Sequence, residues 1–190
     1  LELGACGSTA GMGVVEQGER MKLNIGCGGR RIEGFTGVDA VERPGADMVA
    51  NADAIPLPDG SVDEIMAIHL IEHVHLWEAP DLLREWHRLL APGGRLVLEL
   101  PDIVKCCKNV VSGLFVGGKD PEQLGMWGCY GDPRQKDPWM SHKWGYTFKT
   151  LQPMVAAAGF IKIVEKPTMF HPAGKVDRDF RLEARKPQSE

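Results

Sequence analysis

Short apolar runs separated by turn residues dominate the first half of the chain. Lys22–Gly26, Phe35–Asp39 and Ala46–Ala50 each hold a few apolar positions bounded by Gly, Pro or Asp, a punctuation that predicts three strands. Val62–His69 is rich in Val, Ile and Met, and Arg95–Leu100 follows the breaker Ala91-Pro92-Gly93-Gly94, so both read as buried strands of a parallel sheet. Between them, Ala79–Leu90 places Leu82, Leu83, Trp86, Leu89 and Leu90 at helical spacing. Pro80 falls in the first turn of that helix, and Asp81 stands where a carboxylate suits the helix dipole. A second helix is predicted over Phe148–Ala158, closed by Gly159, followed by a closing strand pair, Phe160–Glu165 and Phe180–Arg185. This order predicts an α/β fold: a Rossmann-like doubly wound sheet, mostly parallel, with an antiparallel C-terminal strand.

One spacing modifies the picture. Only Cys27–Gly34 separates the first two strands, whereas a parallel crossover normally takes a dozen residues or more and a helix, so the first helix is expected to be shortened or absent. A missing helix would leave apolar sheet surface bare, which predicts either a homodimer or cover from residues 1–20. Those first twenty residues are Gly-rich and polar and do not read as a secretory signal; Met21 could serve as an alternative start. Residues 1–20 are therefore set aside as an N-terminal extension, and 21–190 are read as a single domain with an insertion at about 103–147. That stretch, rich in Trp, Gly and Pro, falls where it can cover the carboxyl edge of the sheet.

Composition narrows the function classes. A length of 190 residues suits one domain with one site. No apolar run approaches the roughly 20 residues of a membrane span, so no membrane partner is expected. The formal charge of −4 carries no polybasic run, and a nucleic-acid partner is not expected either. Five cysteines, at positions 6, 27, 106, 107 and 129, form neither a paired CxxC pattern nor an even disulfide set, which points to a reducing, cytoplasmic setting.

Leu23-Asn24-Ile25-Gly26-Cys27-Gly28-Gly29 is a strand running into a glycine turn, where a ligand can approach the backbone closely. Asp39 ends the second strand, placed to accept hydrogen bonds from both ribose hydroxyls. Asp53 follows the third short strand, and beside Ala54 and Ile55 it could take an adenine amino group while apolar neighbours hold the ring. An earlier glycine cluster, Leu3-Gly4-Ala5-Cys6-Gly7, has no acid-ended strand after it before Met21, so the later copy is preferred.

The segments LNIGCGG, GVDA, NADAIPLPDGSVDEIMAIHLIEHV and LLREWHRLLAPGGRLVLELPD, spanning Lys22 to Asp102, resemble the class I S-adenosylmethionine-dependent methyltransferases. They are similar in particular to small members whose first half is abbreviated. The resemblance implies S-adenosyl-L-methionine as cofactor, with Asn24, Gly26, Cys27, Gly28, Asp39, Asp53, Ala54 and His69 around it. Gly26 and Gly28 would line the methionine part, Asp39 the ribose and Asp53 the adenine, while His69 would face the methyl group. No Asn-Pro-Pro-Tyr-type amine motif follows the fourth strand and no metal-ligand set suggests a catechol site, so elimination leaves a small-molecule or saccharide-like acceptor. A binding protein that keeps the cofactor pocket without turnover is the rival reading. A nicotinamide oxidoreductase is weaker, because Gly26-Cys27-Gly28-Gly29-Arg30-Arg31 lacks the third glycine of GxGxxG.

On the acceptor side, Tyr130, Trp139, His142, Trp144 and Tyr146 cluster before the last helix, a composition suited to an acceptor pocket. His142 is the first candidate for a catalytic base, with His69 as a second catalytic candidate. His69-Leu70-Ile71-Glu72-His73 also matches the HxxEH pattern of inverted zinc peptidases. The two histidines straddle a strand end rather than sharing a helical face, and no third ligand stands out downstream, so no metal is expected.

Overall fold

The computed structural model describes residues 21–112, 121–132, 136–170 and 177–188. Seven strands form one sheet: β1 (Met21–Ile25), β2 (Thr36–Asp39), β3 (Met48–Val49), β4 (Val62–Ile68), β5 (Leu90–Pro101), β6 (Ile161–Lys166) and β7 (Asp179–Arg185). Their spatial order is β3-β2-β1-β4-β5-β7-β6, with the β5–β7 and β7–β6 pairings antiparallel and the other pairings parallel. Order reverses beside β1, so the carboxyl ends of β1 and β4 flank the crevice where ligands of open α/β sheets bind. This is the expected Rossmann-like fold, and no helix intervenes between β1 and β2.

Helix α1 (Ala79–Leu89) starts at Ala79-Pro80, and its buried residues Leu82, Leu83, Trp86 and Leu89 lie on the predicted face. Two helices of the insertion follow β5, α2 (Ile103–Ser112) and α3 (Pro121–Tyr130), where the composition had suggested a loop region. Helix α4 (Phe148–Ala157) opens on a reciprocal cap between Thr147 and Thr150 and ends before Gly159, whose φ of 99° favours glycine. Leu151 and Val155 of α4 share one core with the α1 face and with Leu96, Leu98 and Leu100 of β5, so both helices cover the same side of the sheet.

The other side differs from expectation. In place of bare apolar surface it carries a cross-strand row of charges: Lys22 to Glu64 at 3.5 Å, Arg95 to Glu64 at 2.9 Å and to Glu183 at 2.8 Å, and Arg181 to Glu183 at 2.8 Å. Further along, Glu99 accepts the Met169 and Phe170 N–H groups, both at 2.8 Å, and Asn24 Nδ2 donates to the Arg30 carbonyl at 3.2 Å. Loops therefore cover this side where a helix is lacking, and the physical premise for apolar self-association does not hold. Residues 1–20, the other suggested cover, lie outside the described residues.

Element ends shift for local reasons. β5 begins at Leu90 rather than Arg95, because Ala91-Pro92-Gly93-Gly94 is accommodated as a bulge: Val62 pairs with Leu90, but Glu64 with Arg95. β3 shrinks to two residues at the sheet edge. β4 stops at Ile68, since His69 turns left-handed at φ 53°. No helix among the described residues is long and apolar enough to cross a membrane.

Candidate active site at the carboxyl edge of the sheet

β1 ends in a turn with two left-handed glycines, Gly26 (φ 69°) and Gly28 (φ 55°). A Cβ on Gly26 would lie 2.8 Å from Leu70 Cδ1, whereas one on Gly28 would meet only open space. That space belongs to a cavity of about 1020 Å³, lined by Gly26, Gly28, Asp39, Asp53, His69 and His142 among others. Asp39, brought alongside by the parallel pairing of β1 and β2, accepts the Gly28 N–H at 2.8 Å and the Val41 N–H at 3.2 Å. Its carboxylate is thus oriented by the turn it closes, with acceptor capacity left for hydroxyl groups.

The remaining expected cofactor residues divide by position. Asn24 and Cys27 are buried behind the turn and outside the cavity lining: Asn24 holds the Arg30 carbonyl, and the Cys27 thiol points to the Gly28 carbonyl at 3.7 Å. Burial, then the nearby Asp39 charge, pushes the Cys27 thiol pKa up, so it stands as a neutral thiol. They shape the turn rather than line the cavity. Asp53 is at the wall, while Ala54 is exposed beyond it. Their loop is tied to α1 by Trp86 Nε1–H, which donates to the Ala52 carbonyl at 3.0 Å, and by Glu85, which accepts the Ile55 N–H at 3.1 Å.

On the opposite wall, His69 is held between two carboxylates, Nδ1 at 3.1 Å from Glu72 Oε1 and Nε2 at 3.4 Å from Asp179 Oδ2. Burial alone would lower its pKa, but the hydrogen bonds to Asp179 and Glu72 outweigh that and raise it to about 9. At neutral pH the ring is an imidazolium with both N–H groups engaged, which suits a fixed positive element and not a proton acceptor. Burial of Glu72 opposes its ionisation, yet the His69 hydrogen bond and charge prevail and hold its pKa low. Asp179 is gripped in turn by Arg178 at 2.8 and 3.1 Å.

The insertion closes over this network. Lys143 and Trp144 donate backbone N–H groups to the Glu72 carbonyl at 2.7 and 3.2 Å, and Arg43 reaches Asp137 at 2.6 Å. Of the aromatic cluster, Trp139 and His142 line the main cavity and Tyr130 an adjoining one of about 590 Å³. Trp144 is exposed and outside both, and Tyr146 is buried, its hydroxyl pushed up to about 12 by burial and then by the Glu72 charge. Burial lowers the His142 pKa against the pull of Glu72, leaving a neutral imidazole at pH 7. His142 also stands edge-on to His73, ring centroids 4.7 Å apart, so that Glu72, His73 and His142 each bring a ligand-capable atom within 4.8 Å of the others. The fold thus brings His142, far downstream in sequence, to Glu72 and His73, while His69 of the HxxEH string stays outside this group.

Sequence reasoning passed over Arg43, Asp137, Arg178 and Asp179. A signal existed for the last two: an antiparallel final strand next to β5 must begin at the carboxyl edge, and Pro101 indeed pairs with Asp179.

Comparison with known proteins agrees with this geometry. A methyltransferase domain family matches residues 23–98. A "probable S-adenosylmethionine-dependent methyltransferase" of Mycobacterium tuberculosis (strain CDC 1551 / Oshkosh) is 40% identical over 55 residues, 29% of this chain and 19% of that protein. A second, from Mycolicibacterium smegmatis, is 38% identical over 52 residues, 27% of this chain and 20% of its own length, so the chain matches only about a fifth of these relatives. Among solved structures, a Thermotoga maritima S-adenosylmethionine-dependent methyltransferase, "possible histamine N-methyltransferase", superposes with a TM-score of 0.59 at 18% identity, covering 90% of this chain and 84% of that one. Local sequence similarity and sheet order thus converge: residues 23–98 match a methyltransferase domain family, and the whole sheet shares its fold with solved S-adenosylmethionine-dependent methyltransferases.

Proposed function

We propose that the protein transfers a methyl group from S-adenosylmethionine to a small-molecule or saccharide-like acceptor. The observation that carries this reading is the Asp39 carboxylate, fixed by the Gly28 N–H at the wall of a cavity large enough for cofactor and acceptor together. Gly26 and Gly28 take the methionine portion, Asp39 the ribose hydroxyls and Asp53 the adenine edge. S-adenosylmethionine supplies an electrophilic methyl group on a sulfonium, so the protein's task is alignment and exclusion of water.

The residues fit that task. His69, charged and locked between Glu72 and Asp179, is a positioning group at the end of β4. His142 donates Nδ1–H to the Gly128 carbonyl at 3.2 Å and keeps a lone pair on Nε2, as a general base on the acceptor side requires. The insertion supplies the acceptor pocket, with Trp139 and His142 at its wall. The Burkholderia thailandensis 1,6-didemethyltoxoflavin-N1-methyltransferase, a structure of the same fold, was solved with 1,6-didemethyltoxoflavin and S-adenosylhomocysteine bound together; it superposes with a TM-score of 0.58 at 16% identity, covering 89% of this chain and 72% of that one.

Calorimetric titration tests the reading directly. S-adenosylmethionine and S-adenosylhomocysteine are expected to bind in the micromolar range and NAD not to bind; a flat titration with both adenosyl ligands would overturn the assignment. Asp39→Ala should weaken S-adenosylhomocysteine binding by about 1.5–3 kcal/mol, roughly tenfold or more, because hydrogen bonds to a charged group are lost. Asp39→Asn, which keeps an acceptor for Gly28, should fall between the two. Unchanged affinity in a folded Asp39→Ala variant would remove Asp39 from the site.

A further inference from the structure

We infer that Glu72, His73 and His142 form a binding site for a first-row divalent transition-metal ion, which holds an acceptor bearing two adjacent oxygen atoms at the inner wall of the cavity. The inference rests on the methyltransferase reading for its role, and on the three side chains alone for the site itself.

Four observations carry it. First, one ligand-capable atom from each residue lies within 4.8 Å of the others, close to the span of ligands around one ion. Second, the hydrogen bonds set the tautomers. His73 Nδ1 is 3.2 Å from the Ser141 carbonyl and His142 Nδ1 3.2 Å from the Gly128 carbonyl. A carbonyl only accepts, so each Nδ1 carries a proton and each Nε2 is the ring atom left to meet a cation, the arrangement by which backbone carbonyls orient metal-binding histidines. Third, Glu72 is 2% exposed and uses Oε1 for His69, while Oε2 is buried with no hydrogen-bond partner among the described residues. A buried carboxyl oxygen without a partner is costly, and a cation is a partner that would repay it. Fourth, among the described residues the carboxylates lining the cavity outnumber its cationic groups even with the His69 imidazolium counted, and Arg43 and Arg178 are each paired with an aspartate, which leaves a field favourable to a cation.

The donor set specifies the ion class. Two imidazoles and one carboxylate suit zinc, manganese, iron or cobalt in the divalent state, whereas magnesium and calcium prefer oxygen throughout. Three protein ligands leave coordination positions open. Because His73 and His142 line the cavity, those positions face the space assigned to the acceptor. Two adjacent oxygens, as in a vicinal diol or an α-hydroxy acid, would fill them as a chelate, and one becomes the methyl acceptor. On transfer, the hydroxyl loses its proton to solvent, an oxygen–carbon bond forms, and the sulfur–carbon bond breaks with its electron pair returning to sulfur. The His142 lone pair then belongs to the ion, and the ion's charge, not His142, favours loss of the proton.

The test is titration of the chelator-stripped full chain, without a polyhistidine tag, with cobalt(II) followed by visible absorption and with zinc(II) by calorimetry. S-adenosylhomocysteine binding is measured on every sample. One ion per chain is expected, with affinity reduced about tenfold or more in His73→Gln and in His142→Gln, and lost in Glu72→Gln. His73 and His142 are both partly exposed, whereas Glu72 is buried, so the two histidine variants are less prone to misfolding than Glu72→Gln. Absence of saturable binding by the unaltered chain, or equal affinity in the His73 and His142 variants, would overturn the site. Adenosyl-ligand binding without metal binding would sink this inference and leave the proposed function standing. Metal binding without adenosyl-ligand binding would uphold the ion site and remove its part in methyl transfer.

Discussion

Replacing Trp86 by alanine is expected to destabilise the domain by about 3–5 kcal/mol, the range for removing a buried aromatic side chain. Trp86 is fully buried, on the face of α1 that packs against the sheet. It also spends its indole N–H on the Ala52 carbonyl at 3.0 Å, so the truncation leaves both a void and an unpaired carbonyl. For a domain of this size, each kcal/mol corresponds to about 2–4 °C, and the melting temperature should fall by roughly 6–20 °C. A smaller change separates the two roles. Trp86→Phe keeps most of the apolar volume but releases the loop that carries Asp53, so it should cost about 1–2 kcal/mol in stability and show its clearer effect as weaker S-adenosylhomocysteine binding. Equal cofactor affinity in Trp86→Phe and the unaltered chain would mean that the Ala52 tether does not position the adenine wall.

Asp179→Ala should be nearly as damaging, at about 3 kcal/mol. Asp179 is 4% exposed and neutralises two cations at once, the Arg178 guanidinium at 2.8 and 3.1 Å and the His69 imidazolium at 3.4 Å. Breaking a buried pair typically costs about 3–5 kcal/mol, because the partner stays behind as an uncompensated charge; partial exposure of the Arg178 and His69 side chains places this case at the lower end. Chemical denaturation should show the loss as a lower midpoint with an unchanged slope. Arg178→Met combined with Asp179→Ala should recover part of it, since the guanidinium would no longer be stranded. If the double variant is as unstable as the single one, the stranded charge is not the source of the loss.

The depth of reading that the sequence allowed followed the range of the interactions involved. Strand and helix identity in Lys22–Leu100 rests on periodicity and on Gly, Pro and Asp punctuation within a few residues, so those elements were legible, as was the absent first helix, from the eight residues available to it. Asp39 and Asp53 were legible at the cavity wall because the first ends a strand and the second follows one shortly after, and the parallel order sets the carboxyl edge of both strands. Asn24, Cys27 and Ala54 were misplaced into the cofactor lining because adjacency along the chain does not say which side of a turn a residue faces. The apolar surface expected beneath the missing helix was also a misreading: Lys22, Glu64, Arg95, Arg181 and Glu183 lie far apart in sequence, and only the pairing of β1, β4, β5 and β7 sets them side by side as a charged row.

The acceptor side shows the limit most clearly. HxxEH was visible as a string and His142 as an isolated candidate, yet their conjunction spans about seventy residues and depends on the insertion folding back so that Lys143 and Trp144 reach the Glu72 carbonyl. Asp179 meets His69 only because the last strand enters the sheet antiparallel to β5, with its first residue at the carboxyl edge. The sequence by itself therefore determined the α/β order, the glycine turn and the two acids behind it, because backbone conformation and strand ends are local properties. The tertiary structure alone decided the protonation of His69, the burial of a Glu72 oxygen without a hydrogen-bond partner among the described residues, and the company of His73 and His142, because desolvation and charge pairing depend on neighbours that only packing supplies.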